Sequence, residues 1–144
     1  MNDQPNFFFD KPAPWRPGDG KEGRMAYQLS AEAQAKIEAL LAIRAVEFSH
    51  SARIGLVELR EKVRSIRRLS GQDRQEAFAT LYRPAHDLKG MGGTFGFSDI
   101  SVEGERLCQL IGGVEVPSDI DLAIAELSIV RMQAVLMEKP ALAA

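Results

Sequence analysis

His86 and Lys89 stand three residues apart in the run Ala85-His86-Asp87-Leu88-Lys89-Gly90-Met91-Gly92-Gly93-Thr94-Phe95-Gly96-Phe97. In a helix that spacing puts both side chains within one turn. A neutral imidazole is a nucleophile near physiological pH, and an ammonium one turn away can reach whatever the imidazole carries. The same run holds four glycines, Gly90, Gly92, Gly93 and Gly96. Each interior glycine costs a helix roughly 1 kcal/mol relative to alanine, so Gly90, Gly92 and Gly93 together give up about 3 kcal/mol. The space they leave must be needed.

Periodicity says where that space lies. Phe78, Leu81, Ala85, Leu88, Gly92 and Phe95 recur at steps of three and four, the pattern of one buried face. At about 100° per residue His86 falls well away from this stripe and faces water, while Ala79, Arg83 and Gly90 lie near the opposite side. Gly90 and Gly93, four and seven residues beyond the histidine, carry no side chain to shield it from a large partner. The arrangement is an exposed nucleophile with cleared ground beside it and a cation close by.

The elements that must position these groups read as helices throughout. From Ser30, a good N-cap residue, a helical pattern runs to about Leu69, with Ile37, Leu41, Ala45, Phe48, Ala52, Leu56, Leu59, Val63 and Ile66 on one face. It reads either as one long helix or as two with a break near residues 49–55, and Ser70-Gly71 ends it. A second helix starts around Asp73 and carries His86 near its middle, with Pro84 expected to bend it. A third spans about Ser98 to Ile111, burying Ile100, Gly104, Leu107 and Ile111, and stops at Gly112-Gly113. The last begins near Pro117-Ser118-Asp119 and buries Ile120, Ala123, Ile124, Leu127, Val130, Ala134 and Met137, with Pro140 closing it. No segment alternates as a strand does. The expected class is all-α, an antiparallel four-helix bundle over residues 29–144 with an N-terminal helical extension. Residues 1–28 hold Pro5, Pro12, Pro14, Pro17, Gly18, Gly20 and Gly23 with little periodicity and read as a flexible arm. Trp15 and Phe7-Phe8-Phe9 leave open a second reading, in which the arm lies across the bundle or touches a partner.

Composition narrows the function. A chain of 144 residues suits one modest core, and a net charge of −2 gives no broad basic surface for nucleic acid. The single Cys108 excludes an internal disulfide, suits a reducing cytoplasm and reads as a small core residue. No apolar run is long enough to cross a bilayer, and Phe7-Phe8-Phe9 is too short for a signal peptide. Histidine and cysteine are too few for a metal site, and no Gly-x-x-x-x-Gly-Lys-[Ser/Thr] loop follows a strand. His50 lacks the lysine and glycine company of His86 and reads as an ordinary surface residue.

His86-x-Leu88-Lys89-Gly90, with Gly96 and an apolar helix following, resembles the signature of histidine phosphotransfer domains of two-component phosphorelays. The stretch from Lys89-Gly90 through Thr94-Phe95-Gly96-Phe97 is especially similar to the phosphorylated N-terminal domain of chemotaxis histidine kinases. The resemblance covers residues 49–139, with its sharp part at 85–97. It implies a phosphocarrier and not an autonomous enzyme: the far ring nitrogen of His86 takes a phosphoryl group, Lys89 steadies its oxygens, and Gly90 and Gly93 admit the partner. The implied partners are the receiver domain of a response regulator and a sensor or hybrid histidine kinase. Mg²⁺ would be held by the receiver, with no cofactor on this chain, and a bacterial, cytoplasmic, monomeric protein is implied.

Ala79, Tyr82, Arg83 and Met91 then become a docking surface of mixed apolar and basic character. In some relatives a carboxylate from the following helix orients the histidine, and here Glu103 and Glu105 are the two candidates. A rival reading is a helical adaptor that docks a receiver or kinase without being phosphorylated. A third is a phosphatase for an aspartyl phosphate that acts from the same face.

Overall fold

The computed structural model describes residues 30–138. The expected arm at residues 1–28 and the stop at Pro140 lie outside them. The described chain forms α1 (Ala31–Ile66), α2 (Gly71–Ala79), α3 (Tyr82–Thr94), α4 (Ser98–Gly113) and α5 (Asp119–Glu138). Among the described residues there is no strand. Four helices, α1, α3, α4 and α5, pack together around one apolar core.

Contacts divide the chain between Ile37 and Glu38. In the first part, Ser30 caps α1 as its type predicts, its hydroxyl accepting the Ala33 N–H at 3.0 Å. α1 continues without a break through residues 49–55, which settles it as one long helix. Phe48, Ala52, Leu56, Leu59, Val63 and Ile66 line its buried face. The rings of Phe95 and Phe97, from the corner between α3 and α4, sit 5.6 Å from that of Phe48. The core ends at this aromatic corner. Leu41 and Ile37, expected to extend the stripe, are instead 46% and 44% exposed. Periodicity marks which face is apolar; it does not say how far the opposing helices reach.

The single helix expected from Asp73 through His86 is two. Pro84 has no N–H to offer the Thr80 carbonyl and its ring crowds that position, so the helix stops there. The Thr80 and Leu81 N–H groups turn back to Ala77 and Phe78, three residues earlier, at 3.2 and 3.1 Å. Pro84 itself falls in the first turn of α3, where a missing donor costs nothing. Phe78, Leu81, Ala85, Leu88 and Gly92 keep the expected buried stripe across the break, and Phe95 is half-buried.

α4 buries Ile100, Gly104, Leu107 and Ile111 as expected, together with Cys108 and Glu103, and runs on through Gly112 and Gly113. α5 starts with a reciprocal cap: the Asp121 N–H donates to the Ser118 hydroxyl at 3.1 Å and the Ser118 N–H to the Asp121 carboxylate at 2.8 Å. Its buried residues are Leu122, Ala125, Ser128, Ile129, Met132 and Leu136, not the predicted set. Ile120 and Met137 are 73% and 79% exposed, and Ala123, Ile124, Leu127 and Ala134 also face out, with Val130 half-buried. α5 is apolar around most of its circumference, so spacing alone allows several faces. Charge selects one: Glu126 turns toward α1, with its carboxylate 3.3 Å from Arg60 and 3.6 Å from Arg67.

Arg74 ties three ends of the bundle together. Its guanidinium donates to the Ile66 and Arg67 carbonyls at the end of α1, to the Pro117 carbonyl, and to Asp119 at the start of α5. Arg74→Ala leaves those acceptors without their donor and is expected to cost about 2–3 kcal/mol, read as a lower urea midpoint at pH 7. The Arg74 guanidinium also holds the Asp119 carboxyl below the usual aspartate range. That contribution is present above the ordinary aspartate pKa and lost as pH falls through the depressed one.

Candidate functional site

α3 carries His86 because its inward positions are taken by Ala85, Leu88 and Gly92, leaving the histidine exposed as expected. What fixes the surroundings of that histidine is the closeness of α4. A Cβ at Gly104 would lie 2.9 Å from the Lys89 nitrogen, 3.0 Å from its Cα and 3.1 Å from the Ala85 carbonyl oxygen. At the other end, a Cβ at Gly92 would meet Ile100 Cγ2 at 3.0 Å and the Phe97 oxygen and Ser101 nitrogen at 3.1 Å. Backbone therefore packs on backbone at both ends of the segment bearing His86 and Lys89. The Ser101 hydroxyl donates to the Lys89 carbonyl at 2.7 Å, and Gly96, at φ +86°, makes the turn that brings α4 back.

The close approach sets Glu105 of α4 against Lys89 of α3 in an ion pair. The hydrogen bond from Lys89 holds the Glu105 carboxyl below its usual range, with smaller help from Gln109 and His86, and Glu105 raises Lys89 in turn. Of the two carboxylates left open by the sequence, Glu105 is thus the one on the histidine side. Glu103 is buried on the α5 side, where it accepts from Arg106 at 2.8 Å and faces Arg131 at 3.7 Å. Burial pushes the Cys108 thiol up, as suits a core cysteine.

Beside His86 the surface opens. A Cβ at Gly90 would meet nothing within 4 Å, and Gly90 floors a depression of about 320 Å³ lined with His86, Asp87, Met91, Thr94 and Phe95. A second groove shares Asp87 and Met91 with it and is walled by Phe48, Ser51, Ala52 and Gly55 of α1. The sequence did not point to this α1 wall. Its signal is Gly55, a mid-helix glycine with open space in place of a side chain, the same oddity as Gly90.

The remaining candidates are scattered. Tyr82 lies against the imidazole. Arg83 is almost fully exposed and its guanidinium stands 3.9 Å from Asp87, directed at solvent. Gly93 faces Ser101 and lines neither hollow. Ala79 ends α2, on the far side of the turn made by Pro84, and lines neither hollow.

Chemically, the site offers an approachable imidazole and a lysine whose charge is already balanced. An anion arriving on the imidazole competes with Glu105 for that lysine. No group of three histidine, cysteine, aspartate or glutamate side chains among the described residues is placed to hold a metal ion, and no described helix is long and apolar enough to cross a membrane. No family model, no curated protein and no solved structure matches this chain.

Proposed function

We propose that this chain is a histidine-containing phosphotransfer protein that relays phosphoryl groups between receiver-domain aspartates, or between a histidine kinase and a response regulator, through phosphohistidine at His86. The observation that carries this reading is the exposed His86 beside the open ground at Gly90, with Lys89 one turn along. In the forward step an imidazole nitrogen attacks phosphorus of an aspartyl phosphate. The P–N bond forms as the P–O bond breaks, and the carboxylate leaves; the return step reverses this. Such transfer is mainly alignment and charge stabilisation, so a side chain on a rigid helix suffices when the partner brings Mg²⁺ and the acceptor. Lys89 passes from Glu105 to the phosphoryl oxygens as the group arrives, and until then Glu105 is the carboxylate that holds the lysine.

The supporting scaffold is an antiparallel four-helix bundle with a helical N-terminal extension. Pairs such as Arg53 with the Leu136 carbonyl and Arg60 with Glu126, in which numbers rise on α1 and fall on α5, favour that arrangement. The proposed setting is the bacterial cytoplasm, and the protein acts as a monomer without ATP chemistry of its own.

The adjoining hollows on α1 and α3 would equally serve an adaptor that only docks a receiver. His86→Gln separates the two. A phosphocarrier loses relay, and signalling with it, while still binding its receiver, whereas an adaptor keeps both binding and signalling and relays nothing even as wild type; the readouts are phosphoryl transfer between purified domains, receiver titration and the signalling output. Lys89→Ala is expected to slow transfer severalfold or shorten the phosphohistidine lifetime with binding retained. Unchanged rates and lifetime would make Lys89 a solvated charge.

A further inference from the structure

Tyr82 stands one turn before His86, and their ring centroids are 6.0 Å apart with planes 25° from parallel. Side chains on a helix lean toward its N-terminus, so an imidazole at position 86 rests naturally on the residue four before it. On the other side, four residues on, Gly90 offers nothing to lean on. The support of the exposed imidazole along α3 is therefore one-sided. Tyr82 is 45% exposed, so it is not held there by the core.

We infer that Tyr82 is a positioning residue: its ring supports the His86 imidazole from the N-terminal side and limits the orientations it takes beside the open space at Gly90. This rests on the proposed phosphorylation of His86 and adds to it the group that orders the nucleophile. An exposed histidine otherwise samples several rotamers, and a phosphoryl donor meets only some of them in line. The support is a ring against a ring, so the hydroxyl is dispensable and phenylalanine should replace tyrosine.

The test compares the full chain with Tyr82→Ala and Tyr82→Phe, using phosphoramidate as donor so that docking of a protein partner plays no part. Tyr82→Ala is expected to lower the phosphorylation rate of His86 roughly 2- to 10-fold, the effect of one aromatic pair, while Tyr82→Phe stays near wild type. In parallel, the imidazole proton resonances of His86 carry a ring-current shift in wild type and in Tyr82→Phe that Tyr82→Ala removes. Unchanged His86 resonances in Tyr82→Ala would overturn the inference. So would a wild-type rate with phosphoramidate accompanied by slow transfer from a receiver, which would make Tyr82 a docking residue. If wild type takes no phosphoryl group from any donor, the phosphocarrier reading fails, and the resonances still decide whether Tyr82 holds the ring.

Discussion

Gly104→Leu is expected to destabilise the bundle by at least about 3 kcal/mol and to stop phosphoryl relay with it. The atoms a new Cβ would strike are the nitrogen and Cα of Lys89 and the Ala85 carbonyl oxygen, all backbone of α3. No rotamer change relieves a clash with backbone, so α4 must move away from α3. Even alanine at this position forces the helices apart; its overpacking cost of about 1–3 kcal/mol is set against only about 1 kcal/mol gained from its better helix propensity. Moving α4 also withdraws Glu105 from Lys89 and Ser101 from the Lys89 carbonyl. Urea denaturation reads the first effect. A midpoint equal to wild type for Gly104→Leu would mean that α3 and α4 are not in this close register.

Gly90→Leu should do the reverse to stability and the same to relay. Nothing lies within 4 Å of a Cβ there, and the residue is in ordinary helix, so leucine brings its propensity advantage of about 0.5–1 kcal/mol without a clash. The midpoint is expected to hold or rise. The leucine side chain, however, fills the depression it shares with His86. Transfer from a receiver should fall by orders of magnitude, because a displacement of about 1 Å in an approach already costs roughly a hundredfold. Wild-type transfer in a stable Gly90→Leu protein would remove the docking geometry on which the functional reading depends. Together the two substitutions separate glycines that admit a neighbouring helix from one that admits a partner.

That separation was only partly legible in the sequence. The glycine run announced that space was needed, and the wheel placed His86 outward and Gly92 inward, because α3 and the stripe on α2 have clear polar and apolar sides. Nothing local distinguishes Gly104 as the point where α4 touches α3, since that depends on which face α4 presents to its neighbour. The same cause left Glu103 and Glu105 undecided: two residues apart on a helix, they point to different neighbours, and only the packing says which neighbour is α3.

The buried face of α5 departs from its spacing for a related reason. Ile120, Ile124 and Leu127 keep a helical rhythm as good as that of Leu122, Ile129 and Leu136, and long-range pairs to Glu126 and Asp119 decide between them. Pro84 acts as a break where its type alone predicts a bend, because the turn at Thr80 and Leu81 closes with bonds three residues back. Tyr82, by contrast, lies at i−4 from His86, so spacing alone makes them helix neighbours, whereas the resemblance places it only on a docking face.

The central claim is that His86 accepts a phosphoryl group and gives it up. The direct measurement is incubation of the full chain with a phosphorylated receiver domain or a small phosphodonor already shown to phosphorylate a receiver. Intact mass and site mapping follow, under alkaline conditions that preserve phosphohistidine. The account predicts an addition of about 80 Da confined to His86, lost again when an unphosphorylated receiver is added. A chain that stays unmodified with such a donor while still binding the receiver would contradict it.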